Sequence, residues 1–141
     1  MISVFNSGKI SAGTPEAYSV FIPLVPVAKA RPRLGRHGTF TPAKSKNAEA
    51  EIRYWLANSG CRMIDGPLRL KLIFHMPKPK SLKKGTEWHT KRPDADNLGK
   101  QVMDAGNGFL WADDAAICDL HITKVYASDR PGISLSISKI I

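Results

Sequence analysis

Five aspartates and one lysine are gathered in a short stretch of a strongly basic chain. The run is Pro93-Asp94-Ala95-Asp96-Asn97-Leu98-Gly99-Lys100, followed by Asp104, Asn107-Gly108 and Asp113-Asp114. Six of the twelve acidic residues lie between 94 and 119, although the formal net charge is +9. Carboxylates crowded in this way repel one another, by roughly 4 kcal/mol for a pair ~4 Å apart at an effective dielectric of about 20. A divalent cation turns that repulsion into coordination, and Mg²⁺ or Mn²⁺ prefers carboxylate, water and phosphate oxygens. Such an ion polarises a phosphoryl oxygen and activates water for in-line attack. Lys100 is placed to stabilise the negative charge that develops on the phosphorus oxygens.

Each aspartate taken alone has a plainer reading. Asp96 suits the N-cap of a helix, and Asp113-Asp114 suits a turn. Asp104, near a helix C-terminus, opposes the macrodipole and calls for a local partner such as Lys100. The joint pattern favours a metal site. Asp96, Lys100 and Asp104 recur at i, i+4 and i+8, so a helix over about 96–106 carries them on one stripe. Leu98, Val102 and Ala105 then fall on the opposite, core-facing side. For function, Asp113 or Asp114 must fold back beside Asp94 and Asp96.

Two basic segments flank this chemistry. Lys29, Arg31, Arg33 and Arg36 lie in a predicted loop over 29–41. Lys78, Lys80, Lys83, Lys84, Lys91 and Arg92 lie in a second loop rich in proline. Both are read as contacts to a polyanion, with solvated loops as the alternative. Trp88, inside the second loop, is a candidate to insert at or stack on nucleic-acid bases. Trp55 and Trp111 are expected in the core or at a dimer contact.

The elements that must position these groups follow from periodicity. Tyr18–Val25 alternates, with Tyr18, Val20, Ile22 and Leu24 on one face, and Pro23 marks an edge or a strand end. Thr41-Pro42 opens a helix to about Ser59, with Thr as N-cap and Pro in the first turn. Ala48, Ile52, Trp55 and Leu56 form its apolar face, and Gly60 ends it. Leu68–His75 is a strand with Leu68, Leu70, Leu72 and Phe74 inward. Ile117–Tyr126 is another, with Cys118, Leu120 and Ile122 on one face. A turn at Asp129–Gly132 leads to a last hairpin strand over 133–138. The order β-α-β-α-β-β predicts an α+β fold: a small mixed sheet of about four strands with two main helices. Residues 18–141 are expected to form one domain, preceded by a tail or weak edge element over 1–17. Cys61 and Cys118 lack metal-binding spacing and read as buried thiols. The absence of a long apolar run or a visible signal peptide predicts a soluble, intracellular protein.

The pattern Asp94-x-Asp96-Asn97-Leu98-x-Lys100-x3-Asp104-x2-Asn107-Gly108-x4-Asp113-Asp114-x2-Ile117-x6-Lys124 closely resembles the RusA family of Holliday junction resolvases, common in phages and prophages. Weaker likeness extends to Pro26–Arg33 and Thr39–Pro42. The resemblance implies a homodimeric, Mg²⁺-dependent endonuclease that nicks four-way DNA junctions at symmetric positions in the cytoplasm of a bacterial or phage-infected cell. It implies that Asp94, Asp96 and Asp114 are the essential acids, Asp113 the weaker member of its pair, and Lys100 the catalytic lysine. Ala116 stands where the family often has Gln, which affects a contact behind the ligands rather than the ligands. Two other classes stay open: a non-catalytic branched-DNA-binding protein, which would tolerate loss of the acids, and a metal-dependent hydrolase of nucleotides, RNA or other nucleic-acid structures, which would not need both basic segments.

Overall fold

A computed structural model describes residues 16–31, 33–40 and 42–140. The order of elements is β1 (Ala17–Ile22), β2 (Arg33–Gly35), β3 (Gly38–Phe40), α1 (Ala43–Ala57), β4 (Leu68–Met76), α2 (Ala95–Gly106), β5 (Ile117–Tyr126) and β6 (Gly132–Lys139), with a 3₁₀ turn at Asp114–Ala116 before β5. The fold is α+β, as the pattern predicts. Of the expected leading segment 1–17, residues 1–15 lie outside the described residues, and Ala17 already belongs to β1.

β4 is the organising strand. Its alternation is strict: Leu68, Leu70, Leu72, Phe74 and Met76 are buried, while Arg69, Lys71 and Ile73 are exposed and His75 is half-buried. Period-2 patterning of this kind requires one covered face and one open face. The sheet order is β1-β6-β4-β5. β6 runs antiparallel to both β1 and β4, and β4 runs parallel to β5. The parallel pair needs a crossover, which α2 supplies. Ile52 and Leu56 of α1 and Leu98, Val102 and Ala105 of α2 pack into the same core as the inward residues of β4 and β6. The two helices therefore cover one face. The other face carries Arg69, Lys71 and the serines of β6, with Ser19 Oγ donating to Ser136 Oγ at 3.3 Å.

Several details differ from the expectations. The turn before β6 does not make a β5–β6 hairpin, because β6 inserts between β1 and β4 and leaves β5 on the edge. Pro23 ends β1 at Ile22, on the opposite edge. The first basic segment is not a plain loop but contains the small β2–β3 hairpin, turned at Arg36-His37 with Gly38 at φ +111°. Pro42, not Thr41, is the N-cap of α1, and Thr41 lies outside the described residues. Cys118 is skipped by the β4–β5 register, where Leu68 faces Ile117 and Arg69 faces Asp119. This bulge leaves Cys118 exposed, so it is not a buried thiol, and Cys61 is only half-buried. Leu120 is also exposed, and Ile122 is the member of that predicted face packed on the core. Trp111 is fully buried, whereas Trp55 is exposed.

Candidate active site

The acids are displayed by α2 and by the turn that precedes β5. α2 lies against the sheet through Leu98, Val102 and Ala105, and close approach is possible because residue 99 is glycine: a Cβ there would stand 2.5 Å from Ile122 Cδ1. The opposite stripe of α2 carries exposed Asp96 and Lys100 and half-buried Asp104. Asp94, not Asp96, occupies the N-cap, and its side chain makes no capping hydrogen bond. Its carboxylate is thus not consumed by the helix terminus. Asp96 Oδ1 accepts from the Asn97 amide at 2.9 Å and remains exposed.

Asp114 reaches this stripe through Asn107. The Asn107 Oδ1 accepts the Asp114 amide at 3.0 Å, while Asp113 Oδ1 accepts from the Ala115 amide at 3.1 Å and caps the 3₁₀ turn. Burial raises the Asp114 carboxyl above the usual carboxylate range. A hydrogen bond to Asp113 and the charges of Asp104 and Asp113 push it the same way, and Lys100 opposes them. The structure therefore brings Asp114, Asp113, Asp104 and Lys100 into mutual influence. Asp94 and Asp96 stand at the other end of the same helix. Eight residues separate Asp96 from Asp104, about 12 Å along the axis at 1.5 Å per residue.

The donor set fits a hard dication in its chemistry: every candidate ligand is a carboxylate. The neighbouring carboxylates that add to the effect of burial on Asp114 are the electrostatic situation a cation relieves. Among the described residues, no three His, Cys, Asp or Glu side chains stand together as one metal-holding group.

Asp104 does not take Lys100 as its partner. Lys29 Nζ lies 3.3 Å from Asp104 Oδ2 and 3.0 Å from Glu49 Oε1. Arg53 donates to the carbonyls of Asp104 and Ala105, which satisfies acceptors at the end of α2. Lys29 therefore faces inward, unlike the phosphate contact its position in the basic segment suggested. Behind it, buried Gln101 Nε2 donates to Ser45 O at 2.7 Å and joins the two helices. The remaining basic residues are outward. Arg31, Arg36, Lys78, Lys80, Lys83, Lys84, Lys91 and Arg92 are all exposed. The structure places Arg33 in β2, without a description of its side chain. Sequence reading overlooked Glu49 and Arg53. Their i, i+4 spacing on α1 was the available signal, and it marks a local pair (3.9 Å) rather than a link to α2.

A carboxylate-bearing helix stripe, a lysine one turn along it and exposed cations on both flanking segments are compatible with phosphodiester chemistry. Comparison with known proteins agrees. The model of the family described as endodeoxyribonuclease RusA matches residues 23–138. The chain belongs to this family of nucleases. It is also similar to the Bacillus subtilis (strain 168) protein described as uncharacterized protein YqaN, at 33% identity over 132 residues, covering 82% of this chain and 91% of that protein. Among the described residues, no helix is long and apolar enough to cross a membrane.

Proposed function

We propose that this protein is a structure-selective endonuclease that resolves four-way DNA junctions by metal-dependent phosphodiester hydrolysis at symmetric positions. The observation that carries the reading is the return of Asp114, through Asn107, to the stripe of α2 that bears Lys100 and Asp104. It sets Asp114 beside Lys100 and Asp104, on the helix whose N-terminal end carries Asp94 and Asp96. Asp94, Asp96 and Asp114, with Asp113 as an auxiliary, would hold the cation. When bound, Mg²⁺ or Mn²⁺ supplies charge neutralisation at the phosphate and a more acidic attacking water.

The chain's own groups do the rest. Lys100, exposed and one turn beyond Asp96, offers its ammonium to the non-bridging phosphate oxygens as charge builds on them. Arg31, Arg33 and Arg36 near the hairpin, and Lys78, Lys80, Lys83, Lys84, Lys91 and Arg92 in the second segment, hold the flanking backbone. A groove of about 580 Å³ lined by Val25 to Ala28, Lys44, Arg92 and Pro93 supports that role. A homodimer would present two such sites to a two-fold junction. Work on DNA of this kind belongs in the cytoplasm of a bacterial or phage-infected cell.

The test compares a labelled four-way junction with a linear duplex of the same sequence, in Mg²⁺ and in EDTA. Paired nicks in the junction alone, with Mg²⁺ alone, are expected. Equal cutting of the duplex would remove the structure selectivity. Junction binding without cutting under every metal condition would replace the enzyme with a binding module.

A further inference from the structure

Lys124 closes the family-like pattern, and its ammonium is engaged by backbone carbonyls. It lies on β5 opposite Phe74 of β4, on the face of the sheet that carries the core. A lysine there must lay its stem along apolar neighbours and bring its head out to polar partners. Its Nζ donates to the carbonyl of Lys91 at 2.6 Å and to that of Pro93 at 2.7 Å. Both are charge-assisted bonds, stronger than neutral ones. The Pro93 carbonyl belongs to the peptide that joins Pro93 to Asp94, so this bond fixes the plane from which the Asp94 side chain departs. The Asp94 carbonyl is held from the other side by the Leu98 amide at 3.1 Å. Further back, the His89 amide donates to Lys124 O at 3.3 Å and the Tyr126 amide to Glu87 O at 2.8 Å. The segment before Asp94 is thereby stitched to the edge of β5.

We infer that Lys124 is a positioning residue, which braces the backbone at Lys91 and Pro93 and so aims Asp94, and that it is not a DNA phosphate contact. The inference rests on the proposed nuclease activity for its catalytic consequence, though not for the brace itself. The residues ahead of Asp94 are basic and rich in turn formers. Without the brace, they would sample orientations in which the Asp94 carboxylate points away from Asp96. Loss of a group that orients a ligand, rather than the ligand itself, lowers metal affinity or activity by about 10–100-fold.

The experiment uses the full chain with Lys124→Met, which keeps the stem and removes the head. Three quantities are read: single-turnover junction cleavage in Mg²⁺, junction affinity in EDTA across a salt series, and amide hydrogen exchange over residues 89–96 without DNA or metal. The brace predicts cleavage ~10–100-fold slower, affinity and salt slope unchanged, and faster exchange over 91–96. Unchanged exchange overturns it. So does a salt slope reduced by about one phosphate contact, ~0.9 in log–log units, with cleavage falling only in step with binding. If the unsubstituted protein cuts no junction, the nuclease reading fails, and the exchange measurement still decides the brace. Should Lys124→Met fail to fold, the side-chain NH₃⁺ resonance of Lys124 in the unsubstituted protein is followed as junction DNA is added in EDTA. An unmoved signal supports the brace, and a shift to a phosphate-bound position overturns it.

Discussion

Lys29 Nζ stands 3.3 Å from Asp104 Oδ2, so a lysine from the first basic segment is a counterion to the acidic helix. Burial disfavours the ammonium, but hydrogen bonds and charges from Glu49 and Asp104 outweigh it and hold its pKa above the ordinary lysine value. The pair joins three parts of the chain: the segment leading to the hairpin, α1 through Glu49, and α2 through Asp104. The Lys29 amide adds a bond to Asn97 O at 3.0 Å. The segment carrying the hairpin arginines is thus fixed against the helix carrying the proposed catalytic acids.

Lys29→Met should take the ion-pair partner from Asp104 and leave Glu49 with only the longer Arg53 contact at 3.9 Å. Its cost is expected at about 1–3 kcal/mol, between an exposed pair and a fully buried one. Adding Asp104→Asn should recover part of that loss, because it removes one of the stranded charges. A double-mutant cycle by urea denaturation measures the coupling. Strict additivity would mean that the two side chains do not interact in solution.

Substitutions of the acids separate chemistry from stability. Asp94→Asn, Asp96→Asn and Asp114→Asn are each expected to abolish cleavage while junction binding survives or tightens. Asp114→Asn has a second consequence whose sign follows from its raised carboxyl. The folded protein holds that proton more tightly than the unfolded chain does. The associated stability is present below the ordinary carboxylate range and is lost as pH rises through the raised value. At neutral pH the ionised side chain is therefore a cost, and Asp114→Asn should raise the Tm of metal-free protein. The gain should shrink as pH falls toward 4. Cleavage by all three variants in Mg²⁺ would remove the catalytic assignment.

Legibility in the sequence followed the range of the forces involved. β4, α2 and the spans of β5 and β6 were readable because alternation or a 3.6-residue period marks each one locally. Sheet order was not, since the placement of β6 depends on pairing with β1, more than a hundred residues away in sequence, and with β4 across both α2 and β5. Leu120 and Ile122 share one face of β5 as the alternation implied, but a one-residue bulge takes Cys118 out of that set. The β2–β3 hairpin was hidden because its strands are three residues each, too short to display an apolar alternation. At the site, the stripe Asp96-Lys100-Asp104 was plain from helical spacing. The partner of Asp104 was not, because it comes from the N-terminal segment. The anchoring of Asp114 by Asn107 was not either, because a turn-forming Asn-Gly also explains that residue.

Gly106 tests the packing that brings the Asp114 turn back to α2. A Cβ there would stand 2.8 Å from Cη2 and 2.9 Å from Cε2 of the fully buried Trp111 indole. The indole is rigid, and its Nε1 is committed to Met103 O at 3.2 Å. Gly106→Ala should overpack this contact, at a cost of about 1–3 kcal/mol. It should also shift Trp111 emission and slow cleavage, because the displaced residue 107–114 turn carries Asp114. A neutral effect on both stability and cleavage would mean that the turn is not held by this contact.

Trp88 is 61% exposed, yet its backbone is bridged to Val125 at the edge of β5. Large apolar side chains on flexible loops can turn away from water, but this one is held outward by its backbone pairing. Lys83, Lys84, Lys91 and Arg92 around it favour a polyanion as the neighbour. A nucleobase satisfies both requirements, since every base offers a face for stacking next to a phosphate. In a Trp55→Phe background, Trp88 is the exposed indole and Trp111 the buried one, so a fluorescence change caused by added DNA reports mainly on Trp88. Junction DNA in EDTA should quench that signal more strongly than linear duplex does, because a branch point offers bases freed from the stack. Trp88→Ala should weaken junction binding by about 5- to 150-fold, in keeping with ~1–3 kcal/mol per stacked base, with duplex binding little changed. Quenching that appears on concentrating the protein without DNA would assign the indole to a contact between copies. No spectral change with saturating junction would exclude stacking and leave electrostatics as the whole contribution of this segment.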